Sequence, residues 1–282
     1  MEVNEYVRAR PAPALRRYVA YYSGYRQRGL PPAVHRGLPS PYLTLILTLD
    51  EPLVVTAHPD PGQAPGRYDA LLGGLHLTPA LITHDGRQSG VQVAVHPLGC
   101  RALFGLPAGE LGGLDTDLAA VLGDAPVRRL RAALHDADTW AGRFARIDRV
   151  LLDTLAERAG TVHPDVAYAF DRVLHSGGTV TVARLAAEVG WSTRHLTNRF
   201  RTEVGLRVKE AARVVRFDRA RRRLTRAVRL GDVAAATGYF DQAHLAREFR
   251  ALAGVPPSRW LADEFGFVQA GLLAGDDDGP HD

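Results

Sequence analysis

The chain has 282 residues, 46% of them hydrophobic and 23% charged, which is enough to build a core in each of two domains. A single cysteine, Cys100, excludes an intramolecular disulfide framework and any cysteine-rich zinc site. The net charge of +4 is unevenly placed: residues 163–265 hold 18 Lys+Arg against 11 Asp+Glu, and the remainder 17 against 20.

A basic C-terminal third beside a mildly acidic remainder suggests a nucleic-acid-binding module joined to something else, with a solvated basic face as the plain alternative. No stretch approaches the roughly 20 apolar residues of a membrane helix. The segment Met1 to Tyr25 lacks the uninterrupted apolar run of a secretory signal. The expectation is a soluble, cytoplasmic protein with no membrane contact.

Up to about residue 110 the chain is rich in Gly and Pro, with short apolar runs between turn signals. Tyr42–Leu49, Leu53–Thr56, Ala80–His84 and Val91–His96 read as strands, and Asp85-Gly86 reads as a hairpin turn between the last two. Several short strands at this spacing predict a β-sandwich or small barrel.

From about 114 to 160 the period becomes helical. Leu114, Leu118, Val121 and Leu122 form one apolar stripe, and Trp140, Phe144, Ile147, Leu151 and Leu155 a longer one. These helices pack on the β-part or pair with a second subunit, giving a homodimer. Ala159-Gly160-Thr161 marks the expected domain junction. His163-Pro164 opens another helix with Val166, Phe170, Val173 and Leu174 on its inner face, ending at Gly177-Gly178. The tail, residues 266–282, contains Gly275–Pro280, which is too polar to pack and is expected to be mostly disordered.

Residues 181 to 258 contain one small design twice. Leu185-Ala186-Ala187-Glu188-Val189-Gly190-Trp191-Ser192 is followed by Leu196, Phe200 and Gly205. Val233-Ala234-Ala235-Ala236-Thr237-Gly238-Tyr239-Phe240-Asp241 is followed by Leu245, Phe249 and Gly254. Each copy is a short Ala-rich helix stopped by a glycine, an aromatic residue, and an N-cap residue (Ser192, Asp241) opening a second apolar-faced helix. That is the layout of a helix-turn-helix, whose second helix lies in the DNA major groove. Gly190 and Gly238 are expected at φ > 0. Leu185, Val189, Leu196, Phe200, Val233, Leu245, Phe249 and Val255 are expected in the core.

Between the copies, Val208–Leu224 is a helical pattern without proline or glycine. Its rod of roughly 25 Å would hold two recognition helices about one DNA turn, near 34 Å, apart. Its exposed arginines are expected to reach phosphates.

This C-terminal stretch, about 163 to 262, resembles the AraC family (AraC/XylS-type) of bacterial transcription regulators. Phe200-Arg201-Thr202-Glu203-Val204-Gly205, Gly238 to Arg250 and Gly254-Val255-Pro256-Pro257-Ser258 carry the resemblance. Tyr239 stands where phenylalanine is commoner, and Phe240 where a smaller or polar residue is usual. The resemblance implies an all-α domain with two helix-turn-helix motifs. By position, Arg194, Thr197 and Asn198 of the first recognition helix and Gln242, Ala243, Ala246 and Arg247 of the second contact bases. Arg suits guanine, Asn and Gln suit adenine, and Ala or Thr a thymine methyl. Thr193, Arg199, His244 and Arg250 are placed for phosphates.

The resemblance also implies a β-barrel sensing or dimerising domain ahead of the DNA-binding one. The expected class is α+β: a β-rich, barrel-like domain with helices over 1–160, then a double helix-turn-helix domain over 163–265. The N-terminal part is similar to domains of actinobacterial-type regulators through Gly37–Pro41 and Pro97–Gly105, which brings no chemistry with it. His35, His58, His76, His84 and His96 lack metal-ligand spacing such as HExxH. Cys100 beside Arg101 is either a redox sensor or a buried thiol. No P-loop, G-x-S-x-G or G-x-G-x-x-G occurs, so neither catalysis nor a cofactor nor a metal is expected. The function expected is sequence-specific control of transcription, with double-stranded DNA and a small-molecule effector as partners. Family resemblance points toward activation through RNA polymerase. In the alternative the N-terminal half only dimerises or meets a protein partner; an enzyme fused to a DNA-binding domain is the third possibility.

Overall fold

The computed structural model describes residues 2–157, 161–225 and 227–263. Most of the expected junction and the polar tail lie outside the described residues. Ten strands are described: β1 (Val3–Ala9), β2 (Val19–Arg28), β3 (Ala33–Gly37), β4 (Leu43–Thr48), β5 (Leu53–Ala57), β6 (Gly66–Tyr68), β7 (Ala70–Gly73), β8 (Ala80–His84), β9 (Gln88–Val95) and β10 (Asp115–Asp117). They form two open antiparallel sheets, β1-β2-β9-β4-β7-β10 and β3-β8-β5-β6. The sheets do not close, so the barrel-like expectation gives way to a sandwich, while the α+β class stands.

The uninterrupted apolar run of β4 is explained by burial on both faces. Leu43, Leu45 and Leu47 join one core with Leu103, Phe104, Trp140 and Phe144. Ile46, from the opposite face, joins Leu53, Val55, Leu71, Ala80 and Ile82 in a smaller core between the sheets. A strand with only one buried face would alternate instead.

The expected hairpin at Asp85-Gly86 is not formed. The turn exists, with the Arg87 N–H donating to Asp85 Oδ1 at 3.2 Å, but it carries the chain from one sheet to the other. β8 pairs with β3 and β5, whereas β9 pairs with β2 and β4. Turn residues set a local reversal; the near-complete burial of Val91, Val93, Ala94 and Val95 demands an inner position for β9 in the larger sheet.

Helices α1 (Cys100–Phe104), α2 (Leu118–Leu122), α3 (Asp124–His135) and α4 (Trp140–Glu157) follow. Leu114 precedes β10 rather than starting a helix; Asp117 caps α2 by accepting from the Ala119 N–H at 2.8 Å. Trp140, Phe144, Ile147 and Leu151 are buried in the chain's own core. Asp148 fixes α4 by accepting from the Tyr22 hydroxyl (2.8 Å) and the Ala12 N–H (3.0 Å). Four of the five residues of this stripe are therefore core, with Leu155 half-buried beside it.

The remaining described elements are all helical: α5 (Pro164–His175), α6 (Val182–Glu188), α7 (Thr193–Val204), α8 (Val208–Arg223), α9 (Leu230–Thr237), α10 (Gln242–Ala253) and α11 (Pro257–Asp263). On the inner face of α5, Val166, Phe170 and Val173 are buried and Leu174 half-buried. Aromatic contacts knit this core: Phe170 with Phe200, and Phe249 with both Phe217 and Trp260, at centroid distances of 4.9–6.1 Å.

Candidate nucleic-acid interface

Each helix-turn-helix is built by local chemistry. Gly190 and Gly238 take φ of +68° and +79°, a region that penalises a Cβ. The Trp191 and Tyr239 N–H groups then donate back to the carbonyls of Ala186 and Ala234, at 2.9 and 3.0 Å. Ser192 and Asp241 cap the following helices, accepting from the His195 and His244 N–H groups at 3.2 and 2.6 Å. Leu185, Leu196, Phe200, Val233, Leu245 and Phe249 are buried, with Val189 and Val255 half-buried at the edge of the core.

The residues singled out in the sequence fall on the first turns of α7 and α10 and on the turns after them. Arg194, Asn198, Gln242, Ala243 and Arg247 are exposed, as are Thr193, Arg199 and Arg250; Thr197, His244 and Ala246 are half-buried. Among the described residues, Arg194, Arg199, Arg247 and Arg250 make no ion pair. The Thr197 hydroxyl donates within its helix to the Thr193 carbonyl at 2.8 Å. His244 accepts the Phe240 N–H at Nδ1 (3.4 Å) while its ring meets Tyr239 edge-on. That assignment leaves Nε2 as the N–H donor of the neutral ring.

The arginines of α8 behave otherwise than their sequence pattern suggests. Arg213 grips Glu248 of α10 with two hydrogen bonds, at 2.9 and 3.0 Å. Arg216 donates to the Gly178 carbonyl at 2.6 Å. Arg221 and Arg222 both bind Asp218, at 2.6 and 2.8 Å. Burial pushes the Asp218 carboxyl up, but these two guanidiniums outweigh it and hold it below the ordinary carboxylate range. Four of the six arginines of α8 therefore brace the helix that spaces the two motifs. The sequence carried no signal for the first two pairings, because Glu248 and Gly178 are distant along the chain; Asp218 lies three and four residues from Arg221 and Arg222, a spacing at which helical side chains meet.

A second feature missed from the sequence joins the two domains. Arg101 of α1 donates through Nε and Nη2 to Glu203 Oε2 and Oε1, at 2.7 and 3.0 Å. Glu203 lies in the last turn of α7. Beside it, a Cβ on Gly109 would stand 2.4 Å from the Thr202 carbonyl oxygen, so the turn Ala108–Leu111 packs backbone to backbone on α7. Arg36 of β3 also meets Asp263 of α11 at 3.3 Å. The N-terminal domain thus touches elements of both helix-turn-helix halves.

Cys100 is buried, and burial pushes its thiol up to about 12 despite Arg101 next to it, the reverse of what a redox sensor needs. Burial, reinforced by His84, lowers His35 to about 4, and burial alone lowers His96 to about 4. His58 instead pairs with Asp115 at 2.7 Å and approaches the Tyr68 hydroxyl at 3.3 Å. Among the described residues no group of three or more His, Cys, Asp or Glu is placed to hold a metal ion. No helix of the described residues is long and apolar enough to cross a membrane.

Comparison with known proteins agrees with this geometry. Residues 185–263 match a helix-turn-helix domain family, and residues 7–117 match a domain of unknown function, DUF6597. No curated protein matches. The crystal structure of ToxT from Vibrio cholerae O395 is 11% identical, covering 88% of this chain and 96% of its own, with a TM-score of 0.50. Unsaturated fatty acid bound wild-type ToxT from Vibrio cholerae strain SCE256 is also 11% identical, over 90% and 97%, with a TM-score of 0.50. The C-terminal domain of AraT, a response regulator from Geobacillus stearothermophilus, is 20% identical over 36% and 86%, with a TM-score of 0.33. The ToxT likeness is one of fold, spanning both domains. Residues 185–263 therefore carry a helix-turn-helix domain of the AraC type.

Proposed function

We propose that the protein reads a specific promoter or operator sequence with α7 and α10 in two successive major grooves, and that a small molecule bound by the N-terminal domain controls this. Arg194, Thr197, Asn198, Gln242, Ala243, Ala246 and Arg247 are the base-contacting set. Thr193, Arg199, His244 and Arg250 hold phosphates. The observation that carries the reading is a contrast among arginines: Arg213, Arg216, Arg221 and Arg222 of α8 are engaged within the chain, while Arg194, Arg199, Arg247 and Arg250 are exposed and, among the described residues, make no ion pair. Exposed guanidinium groups along a recognition helix suit base edges and phosphates.

The division of labour follows the chain: residues 1–160 sense and 163–265 bind DNA, in the cytoplasm, with RNA polymerase as the partner in activation. Control by an effector is supported by the direct grip of Arg101 on α7. That the fold is compatible with a ligand is supported by ToxT, which has been crystallised with an unsaturated fatty acid bound. Genome-wide binding with footprinting of the full chain tests the DNA reading: protection of two adjacent major-groove segments on one face is expected, and no protected site refutes it. Thermal-shift screening against metabolites tests the effector, which must raise the melting temperature. A flat screen, with a dimer or a protein complex recovered instead, favours a purely dimerising or partner-binding N-terminal half.

A further inference from the structure

Among the described residues Phe240 is 93% exposed, well beyond the other exposed large apolar side chains, Val34 (56%), Tyr168 (44%) and Val228 (41%). Its backbone is held on every side. Tyr239 before it is buried and tied to the Ala234 carbonyl, Asp241 after it caps α10, and its own N–H donates to His244 Nδ1. The ring has no route into the core without dismantling this turn.

The two motifs differ at this point. In the first, Trp191 is followed directly by the cap Ser192; in the second, Phe240 stands between Tyr239 and the cap Asp241. It is an extra residue, placed just before the end of α10 that reaches base edges, with exposed Gln242 and Ala243 next in line. A phosphate offers nothing to a benzene ring. The major groove offers one apolar group, the C5-methyl of thymine, and phenylalanine is among the side chains that contact it.

We infer that Phe240 reads a thymine methyl group at the edge of the sequence recognised by α10, and so contributes base specificity from the turn rather than from the helix. The inference rests on the proposed entry of α10 into the major groove.

The test uses full-length protein and a duplex that wild type enriches from random-sequence DNA, with each thymine replaced singly by deoxyuridine, which lacks the methyl. At one position near the α10 contacts, deoxyuridine should weaken wild type about fourfold, the worth of one buried methyl group. Phe240→Ala should bind the thymine duplex about that much more weakly and no longer distinguish it from the deoxyuridine duplex. Its melting temperature should be unchanged, because the ring is outside the core. A flat deoxyuridine scan for wild type overturns the inference. So does a Phe240→Ala variant that binds as tightly as wild type, as a ring reserved for a protein partner would, or one that keeps the same thymine preference. A wild-type protein that enriches no sequence overturns the DNA reading itself, a result separable from all of these.

Discussion

Arg101 and Glu203 meet in a two-point grip across the domain boundary, with a carboxylate that is only 6% exposed. Removing the arginine leaves that carboxylate buried without its charged donor, a loss greater than that of an exposed ion pair. Arg101→Ala should lower stability by about 1–2 kcal/mol. A double-mutant cycle with Glu203→Ala, followed by denaturant unfolding, should show strong coupling; additive effects would mean the pair contributes nothing.

Arg247 is exposed one turn into α10 and, among the described residues, makes no ion pair. Arg247→Ala should cost about 1–3 kcal/mol at the target and relax base preference at one position. Competition binding on the specific site and on random DNA checks this. An equal loss on both would assign Arg247 to phosphate alone.

Asp241 accepts the His244 N–H at the start of α10. Asp241→Ala should lower thermal stability by an amount equivalent to about 1 kcal/mol, and Asp241→Asn, which keeps the capping oxygen, should recover most of it. A melting series on the three proteins decides whether the cap has this role.

Glu188 ties the end of α6 to α5, accepting from Arg184 (2.9 Å), Arg172 (3.2 and 3.4 Å) and Tyr168 (3.1 Å). Hydrogen bonds from Arg172 and Arg184 lower its pKa from 4.5 to about 2. The folded state therefore binds this proton less readily than the unfolded one. Its stabilising contribution is present above pH 4.5 and is lost as pH falls from 4.5 toward 2. Glu188→Gln should flatten that part of the stability profile, as followed by chemical denaturation across the acid range. An unchanged slope would show that other carboxylates account for it.

The C-terminal architecture was legible because its signals are local. Gly190 with Ser192, and Gly238 with Asp241, fix each turn through atoms within a few residues of one another. The strands around Leu45 and Val93 were legible for the opposite reason, since burial on both faces leaves an apolar run. What depends on distant partners was not. β1, half-buried along nearly its whole length, shows no clean alternation, and Asp85-Gly86 cannot announce which sheet receives the next strand. Arg213 and Arg216 of α8 read as free cations until Glu248 and Gly178 are folded against them. Among the proposed contacts, residue type and helical position were readable. The restraint placed on α7 by Arg101 belongs to a pairing some hundred positions apart along the polypeptide.

The seat of Ala108–Leu111 on α7 lies at the opposite end of that helix from Arg194, roughly three turns away. A tool held by its handle keeps its working tip clear. On the proposed function, the N-terminal domain can stay engaged while α7 is docked on DNA, and a shift of its grip would alter the tilt of α7 rather than uncover it.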